Sequence, residues 1–161
     1  MDNYLSFKTE SLLEESKNID KMTPLEIAKV INDQDKTVAY AVEKVLDDVA
    51  KVIEICAECL KAGGRMIYCG AGTSGRIGVL DASECPPTYG VSPETVVGLI
   101  AGGTKAVYSS VEDAEDDEDS IVSQMKDIAF SAKDVCIGIS ASGSAKCVQG
   151  ALKYARSVGA K

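Results

Sequence analysis

The apolar positions of this chain fall into two rhythms. Residues 66–69, 95–101 and 134–140 are short, mostly apolar runs, and each leads into a turn bearing glycine or serine. Continuous rather than alternating apolarity predicts parallel strands buried on both faces. Other segments repeat at helical spacing, with Val122, Met125 and Ala129 on one face and Val148, Ala151, Leu152 and Ala155 on another. Strands alternating with helices predict an α/β fold: a doubly wound parallel sheet in three α/β/α layers, joined by right-handed crossovers. The strands are expected in the order second, first, third, as in the start of a flavodoxin-like sheet.

The first third of the chain reads differently. Residues 1–22 are polar and weakly patterned, which predicts an extended arm. Thr23-Pro24-Leu25-Glu26 is a dense helix start, with Thr23 as N-cap, Pro24 in the first turn and Glu26 completing a capping box. Met22 and Ile27 are placed for a hydrophobic staple across that cap, and the helix is expected to reach about Asn32. From Lys36 to Ala62 the positions Val38, Val42, Val45, Val49, Val52, Cys56 and Cys59 alternate spacings of four and three, a heptad seam closed by Gly63-Gly64. Either the domain's own sheet or a helix of a second copy covers that seam; the pattern allows both. The expected organisation is an arm with helices over 1–62, packed on the domain or across a dimer, followed by a sheet domain over 63–161.

Candidate chemistry gathers at the strand ends. Gly70-Ala71-Gly72-Thr73-Ser74-Gly75 follows the first strand and opens a helix. Glycines let backbone N–H groups approach an anion closely, and the helix start adds unpaired donors. Thr73 and Ser74 add hydroxyls. Ser140-Ala141-Ser142-Gly143-Ser144 repeats that composition after the third strand. Ligands of open parallel sheets bind at the carboxyl ends of the strands, which makes both turns candidates for holding a phosphate. Glu84 stands further along the first helix, ahead of a Pro86–Pro87 pair expected to stop it. The acidic run 112–119 is either a solvated face near a helix start or the source of one catalytic carboxylate. It lacks the alternating ligands and central glycine of an EF-hand.

Composition narrows the partners. With 161 residues the chain is long enough for one domain with a real core. A net charge of −8 leaves no basic stripe for nucleic acid, so an anionic ligand has to be held by local donors. Histidine is absent, which leaves acid–base work to carboxylates, lysine, tyrosine or cysteine. No run approaches the ~18 apolar residues of a membrane span, and no basic-then-apolar leader opens the chain, so a cytoplasmic location is expected. Cys56 and Cys59 form a C-x-x-C without a second pair, while Cys69 and Cys136 sit inside strand runs. Buried free thiols are the expectation, rather than a metal site. Gly70-x-Gly72-x-x-Gly75 also matches the dinucleotide fingerprint, but the second strand ends in Ala101-Gly102-Gly103-Thr104 where a ribose-binding acid belongs. A phosphate monoester suits hydroxyls at two strand ends better.

Four stretches together carry a resemblance: Gly-Ala-Gly-Thr-Ser-Gly-Arg (70–76), Leu-Asp-Ala-Ser-Glu-Cys-Pro-Pro-Thr (80–88), Val-Gly-Leu-Ile-Ala-Gly-Gly (97–103) and Val-Glu-Asp-Ala-Glu-Asp-Asp (111–117). They resemble the N-acetylmuramic acid 6-phosphate etherases, a branch of the sugar isomerase (SIS) domain proteins related to glucokinase regulatory protein. The resemblance implies a SIS-type, dimeric, doubly wound fold and a sugar-phosphate substrate. It implies cleavage of a lactyl ether to N-acetylglucosamine 6-phosphate and D-lactate, by elimination and then hydration, with no cofactor. Carried over by motif, Glu84 is the acid that protonates the leaving oxygen and Glu115 the base that removes the proton at carbon 2. Thr73, Ser74, Ser140 and Ser142, with the backbone of Gly72 and Gly143, are implied to hold the phosphate. A sugar-phosphate-binding regulatory module without turnover is the alternative.

The chain departs from the family pattern in two ways. Its second turn reads Ser142-Gly143-Ser144-Ala145-Lys146 where the family has Ser-Gly-Arg-Thr-Pro. Family members are also considerably longer, so a fragment or shortened relative is expected, ending where the next strand should begin. The third strand would then expose an edge, and association through that edge, through the long helix, or through both is predicted.

Overall fold

The structure, a computed structural model, describes Thr9 and residues 11–161. The chain forms two compact units that divide between Ile53 and Glu54.

In the first unit, part of the expected arm lies outside the described residues. The rest is not extended, because it folds into two short 3-10 turns, Glu14–Ser16 and Ile19–Lys21. The first of them is closed by the Ser16 hydroxyl donating to the Leu13 carbonyl at 2.9 Å. Helix α1 spans Pro24–Glu43 and starts as expected: the Thr23 hydroxyl accepts from the Glu26 N–H, and the Glu26 carboxylate accepts from the Thr23 N–H at 2.8 Å. It does not stop near Asn32. Residues 33–43 contain neither glycine nor proline, and once a helix is nucleated each further residue adds a bond at little cost. The chain breaks instead at Lys44-Val45, where the Val45 N–H turns to the Val42 carbonyl at 2.9 Å, and helix α2 follows over Leu46–Lys61. The expected single seam over 36–62 is thus two helices. Its positions Val38, Val42, Val45, Val49 and Val52 are exposed, whereas Cys56 is buried.

The second unit holds a three-stranded parallel sheet in the order β2-β1-β3, as the sequence predicts. Strand β1 is Met66–Gly70, β2 is Val96–Ile100 and β3 is Val135–Ile139. Helix α3, Gly72–Tyr89, lies on one face of the sheet. The approach is close: a Cβ on Gly78 would stand 2.7 Å from the Tyr68 Cβ, and one on Gly98 would stand 2.7 Å from the Val79 Cα. The Pro86–Pro87 pair does not stop this helix. Both prolines sit in its last turn, where each forgoes its own N–H bond to the turn before, and the helix ends at Gly90, whose positive φ of 66° lets its N–H cap the Pro86 carbonyl at 2.9 Å.

The other face carries helix α5, Asp119–Asp127, and helix α6, Lys146–Ser157. Ile67, Cys69, Leu99 and Cys136 from the sheet form one core with Ile121 and Met125 of α5 and with Cys147, Val148 and Ala151 of α6. The predicted inward face of α5 is corrected at one position. Ala129 lies beyond the helix end at a φ of 50° and is exposed, and Ile121 takes its place in the core. Strand β3 is also less covered than expected, since Ile137 and Ile139 are half-buried. Helix α3 lies over β2 and β1 and barely reaches β3. On the outer edge of β3 the Cys136 N–H donates to the Lys161 carbonyl at 2.9 Å. Among the described residues no helix is long and apolar enough to cross a membrane.

Candidate functional site

The site is built where β1 turns into α3. Gly70 and Gly75 make that turn tight: a Cβ on Gly70 would stand 2.6 Å from the Gly75 nitrogen, and one on Gly75 would stand 2.6 Å from Cγ1 of Ile100. Only glycine fits at either position, so the helix starts directly against the sheet. Gly72, at a φ of 51°, faces open space and is free to let a ligand approach the backbone.

Beyond β2, Gly102 and Gly103 both adopt positive φ and lead into the short helix α4, Lys105–Tyr108. The acidic run then returns over the carboxyl edge of the sheet. Ser120 and Gln124 hold the β2 end, accepting from the Gly102 N–H at 3.1 Å and donating to the Ile100 carbonyl at 2.9 Å respectively. The acidic run itself is pinned by its backbone and its outer carboxylates. The Glu115 carbonyl accepts from the Cys147 N–H at 3.0 Å, Asp116 pairs with Lys146 at 3.2 Å, and Glu118 pairs with Lys153 at 3.2 Å. Glu115 itself is exposed, lines the cavity below and forms no ion pair among the described residues.

Between the turn and the acidic run lies a cavity of about 260 Å³, lined by Gly72, Arg76, Ser110, Glu112, Asp113 and Glu115 among others. Arg76 is the residue that sequence reasoning missed. It sits one helical turn inside α3, and its Nε donates to the Val107 carbonyl at 3.0 Å, which orients the guanidinium. None of the described carboxylates pairs with it. Its place one residue after the Gly-x-Gly-x-x-Gly spacing was the available signal.

The expected site residues divide into three groups. Gly72 and Glu115 line the cavity together. Ser140, Ser142 and Gly143 leave the same sheet edge, because Gly70 and Ile139 are register partners at the ends of β1 and β3. Their turn is exposed and bonded to itself: the Gly143 N–H donates to the Ser140 hydroxyl at 3.0 Å, and the Ser142 and Ser144 hydroxyls are 2.6 Å apart. Thr73 lies on the outward side of α3, in a shallow apolar groove with Arg76, Ile77, Leu80 and Val107, and Ser74 is half-buried in the same first turn. Glu84 forms the third group alone. It is exposed, about 18 Å further along α3 than Gly72 at the helical rise per residue, and it does not line the cavity of its own chain.

All six cysteines are free, and burial pushes Cys147 up to about 11. The hydrogen bond to Cys136, 3.6 Å between sulfurs, together with burial carries Cys69 far above the thiol range.

Comparison with known proteins agrees with this architecture. The family model of the glucokinase regulatory protein N-terminal SIS domain matches residues 48–156. Proteins named N-acetylmuramic acid 6-phosphate etherase match nearly the whole chain. The one from Photorhabdus laumondii is 52% identical over 98% of this chain and 52% of its own length. Those from Aliivibrio fischeri strain MJ11 and Escherichia coli O157:H7 are each 53% identical, over 94% and 91% of this chain and 51% and 49% of their own lengths. The chain spans about half the length of the curated relatives it matches.

Proposed function

The chain belongs to the SIS-domain family that joins the N-acetylmuramic acid 6-phosphate etherases to glucokinase regulatory protein, and on that premise we propose that it acts in cleaving the lactyl ether of N-acetylmuramic acid 6-phosphate. The observation that carries this reading is the cavity lined by both Glu115, which has no ion pair among the described residues, and the Gly72 turn. In the proposed mechanism the ligand's phosphate lies on the backbone of Gly72 and Gly143, with the hydroxyls of Thr73, Ser74, Ser140 and Ser142 around it. Ser142 and Ser144 exchange their mutual hydrogen bond for phosphate oxygens. Glu115 removes the proton at carbon 2 of the open-chain sugar, which the neighbouring aldehyde makes acidic, so the step needs no cofactor. Glu84 protonates the departing lactate oxygen. Water then adds to the unsaturated sugar to give N-acetylglucosamine 6-phosphate, and D-lactate leaves. A phosphorylated sugar substrate places the reaction in the cytoplasm.

The test is lactate release from N-acetylmuramic acid 6-phosphate, with solvent deuterium exchange at carbon 2 followed by NMR. Glu115→Gln is expected to abolish both signals. Glu84→Gln is expected to keep some exchange while losing lactate, since abstraction needs only the base. The serine and alanine that stand where the family has Arg and Thr, at 144 and 145, favour a second reading, a regulatory sugar-phosphate module. Binding of the sugar phosphate without exchange or lactate would select it.

A further inference from the structure

Among the described residues that line the Glu115 cavity, Arg76 is the one cation, and Glu112, Asp113 and Glu115 bring carboxylates. Arg76 is nevertheless ion-paired with none of them. It is half-buried, its Nε is fixed on the Val107 carbonyl at 3.0 Å, and Glu112 accepts instead from the Ser110 hydroxyl at 2.9 Å. A guanidinium held through Nε still has the donors of both terminal nitrogens. The sheet order says on which side of the turn they are held. Val107 belongs to α4, which follows β2, whereas Ser140, Ser142 and Gly143 follow β3, and β1 lies between the two. The Val107 bond therefore keeps Arg76 on the β2 side of the Gly72 turn, with the serine turn on the β3 side.

We propose that Arg76 binds the carboxylate of the substrate's lactyl group and is the residue that recognises the leaving group. This inference rests on the etherase reading. A lactyl ether of a sugar phosphate carries two anions. The β1 and β3 turns meet the phosphate with backbone N–H groups and hydroxyls. The carboxylate enters a cavity rich in negative charge, where it is repelled unless a cation answers it. Arginine meets a carboxylate through two parallel N–H···O bonds, so it fixes direction as well as charge. In an elimination that starts at carbon 2 the departing oxygen sits on the neighbouring carbon. The lactyl group thus hangs beside the atom that Glu115 deprotonates. Phosphate on the β3 side and carboxylate on the β2 side stretch the open-chain sugar across the cavity and hold carbon 2 at Glu115. The sugar-phosphate product has lost the carboxylate, so its hold on Arg76 ends with the reaction and it leaves more readily than the substrate binds.

Calorimetry on the full chain with Glu115→Gln, which stops turnover, compares N-acetylmuramic acid 6-phosphate with N-acetylglucosamine 6-phosphate, the same phosphate without the lactyl group. The parent is expected to bind the lactyl compound about 10–100-fold more tightly, the range of a hydrogen bond to a charged group. Arg76→Gln should remove that preference and leave the affinity for N-acetylglucosamine 6-phosphate unchanged, which also shows that the variant is folded. Arg76→Lys should keep part of the preference. A comparison that needs no change at position 76 uses the neutral amide of the lactyl carboxyl, which the parent should bind no better than N-acetylglucosamine 6-phosphate. Equal loss of both ligands in Arg76→Gln overturns the proposal, giving Arg76 to the phosphate or to the shape of the cavity. Undiminished binding of the amide overturns it too. A lactyl preference that depends on Arg76, in a wild type that releases no lactate, rejects the etherase reading and leaves the carboxylate site standing. Binding of neither sugar phosphate rejects both.

Discussion

The two ends of the sheet use the same residue types for opposite purposes. At the amino end an arginine and an aspartate are spent on each other. Arg65 donates from its backbone N–H and Nε to Asp134 Oδ1, each at 3.0 Å, and from Nη2 to Oδ2 at 2.8 Å. Its Nη1 reaches the Ile128 carbonyl at 2.9 Å, and the Ser131 N–H donates to Asp134 at 2.9 Å. Asp134 is buried and every one of its partners is in place. At the carboxyl end Arg76 and Glu115 border one cavity, and neither is ion-paired among the described residues. A closed pair fixes where β1 and β3 begin; on the proposed reading the open charges are left for a ligand. The difference separates residues that stabilise the fold from residues that can act.

The largest expected effect breaks the closed end. Asp134→Ala leaves the Arg65 guanidinium without its carboxylate, and urea unfolding should show a loss of about 3–5 kcal/mol. The same pair sets the acid limit. Burial works against the Asp134 carboxylate, but the hydrogen bonds from Arg65 and Ser131 outweigh it and hold its carboxyl below the usual range. Its contribution is therefore complete above the unfolded value of about 3.9 and is lost as pH falls through the lower folded value. Asp134→Asn should flatten that acid limb of stability. Retention of the full pH slope in this variant would assign acid unfolding to other carboxylates.

A smaller effect sharpens the contrast through glycine. Gly64→Ala at the amino end runs into the Lys133 carbonyl, and Gly75→Ala at the carboxyl end runs into Ile100 and the Gly70 carbonyl. Each should cost about 1–3 kcal/mol of stability by overpacking. Only Gly75→Ala should also weaken sugar-phosphate binding by calorimetry, because only that turn adjoins the cavity. The smallest effects lie in the hydroxyls. Ser74→Ala and Ser142→Ala should each weaken binding by ~1–2 kcal/mol with melting of the free protein unchanged. Placing Arg and Thr at 144 and 145 should tighten it. Equal affinities across this set would make the turns simple strand-to-helix connections.

Much of the sheet was legible because its signals are local. Each strand is a continuous apolar run, each turn carries its own glycines, and the strand order is that of the start of a flavodoxin-like sheet. The capping box at Thr23 and Glu26 was legible for the same reason. The break at Lys44-Val45 was not, since Val42, Val45 and Val49 keep the seam's spacing across it. Pro86 and Pro87 misled because the helix carries them into its last turn before it ends, and it is Gly90, in the left-handed conformation, that closes it. The Arg65–Asp134 pair joins residues far apart in sequence that carry no motif. Glu84 was recognisable by its motif, but its distance from Glu115 is fixed by the direction in which α3 runs back along the sheet.

The strand order β2-β1-β3 also carries a consequence for how the chain folds. Met66 pairs with Val96 on one side and with Val135 on the other, so β1 must close a much shorter loop to meet β2 than to meet β3. Closure entropy and the dependence of rate on contact distance favour β1, α3 and β2 assembling first, with β3 docking afterwards. The Met66 N–H reports the first pairing through its bond to the Thr95 carbonyl at 3.0 Å, and the Val135 N–H reports the second through its bond to Arg65 at 2.9 Å. Pulsed hydrogen exchange during refolding should protect Met66 before Val135; the reverse order would show that the ion pair at the amino end forms the nucleus. With the expected order, the Gly72 turn is shaped early, while the cavity is completed only when α6 arrives to hold Glu115.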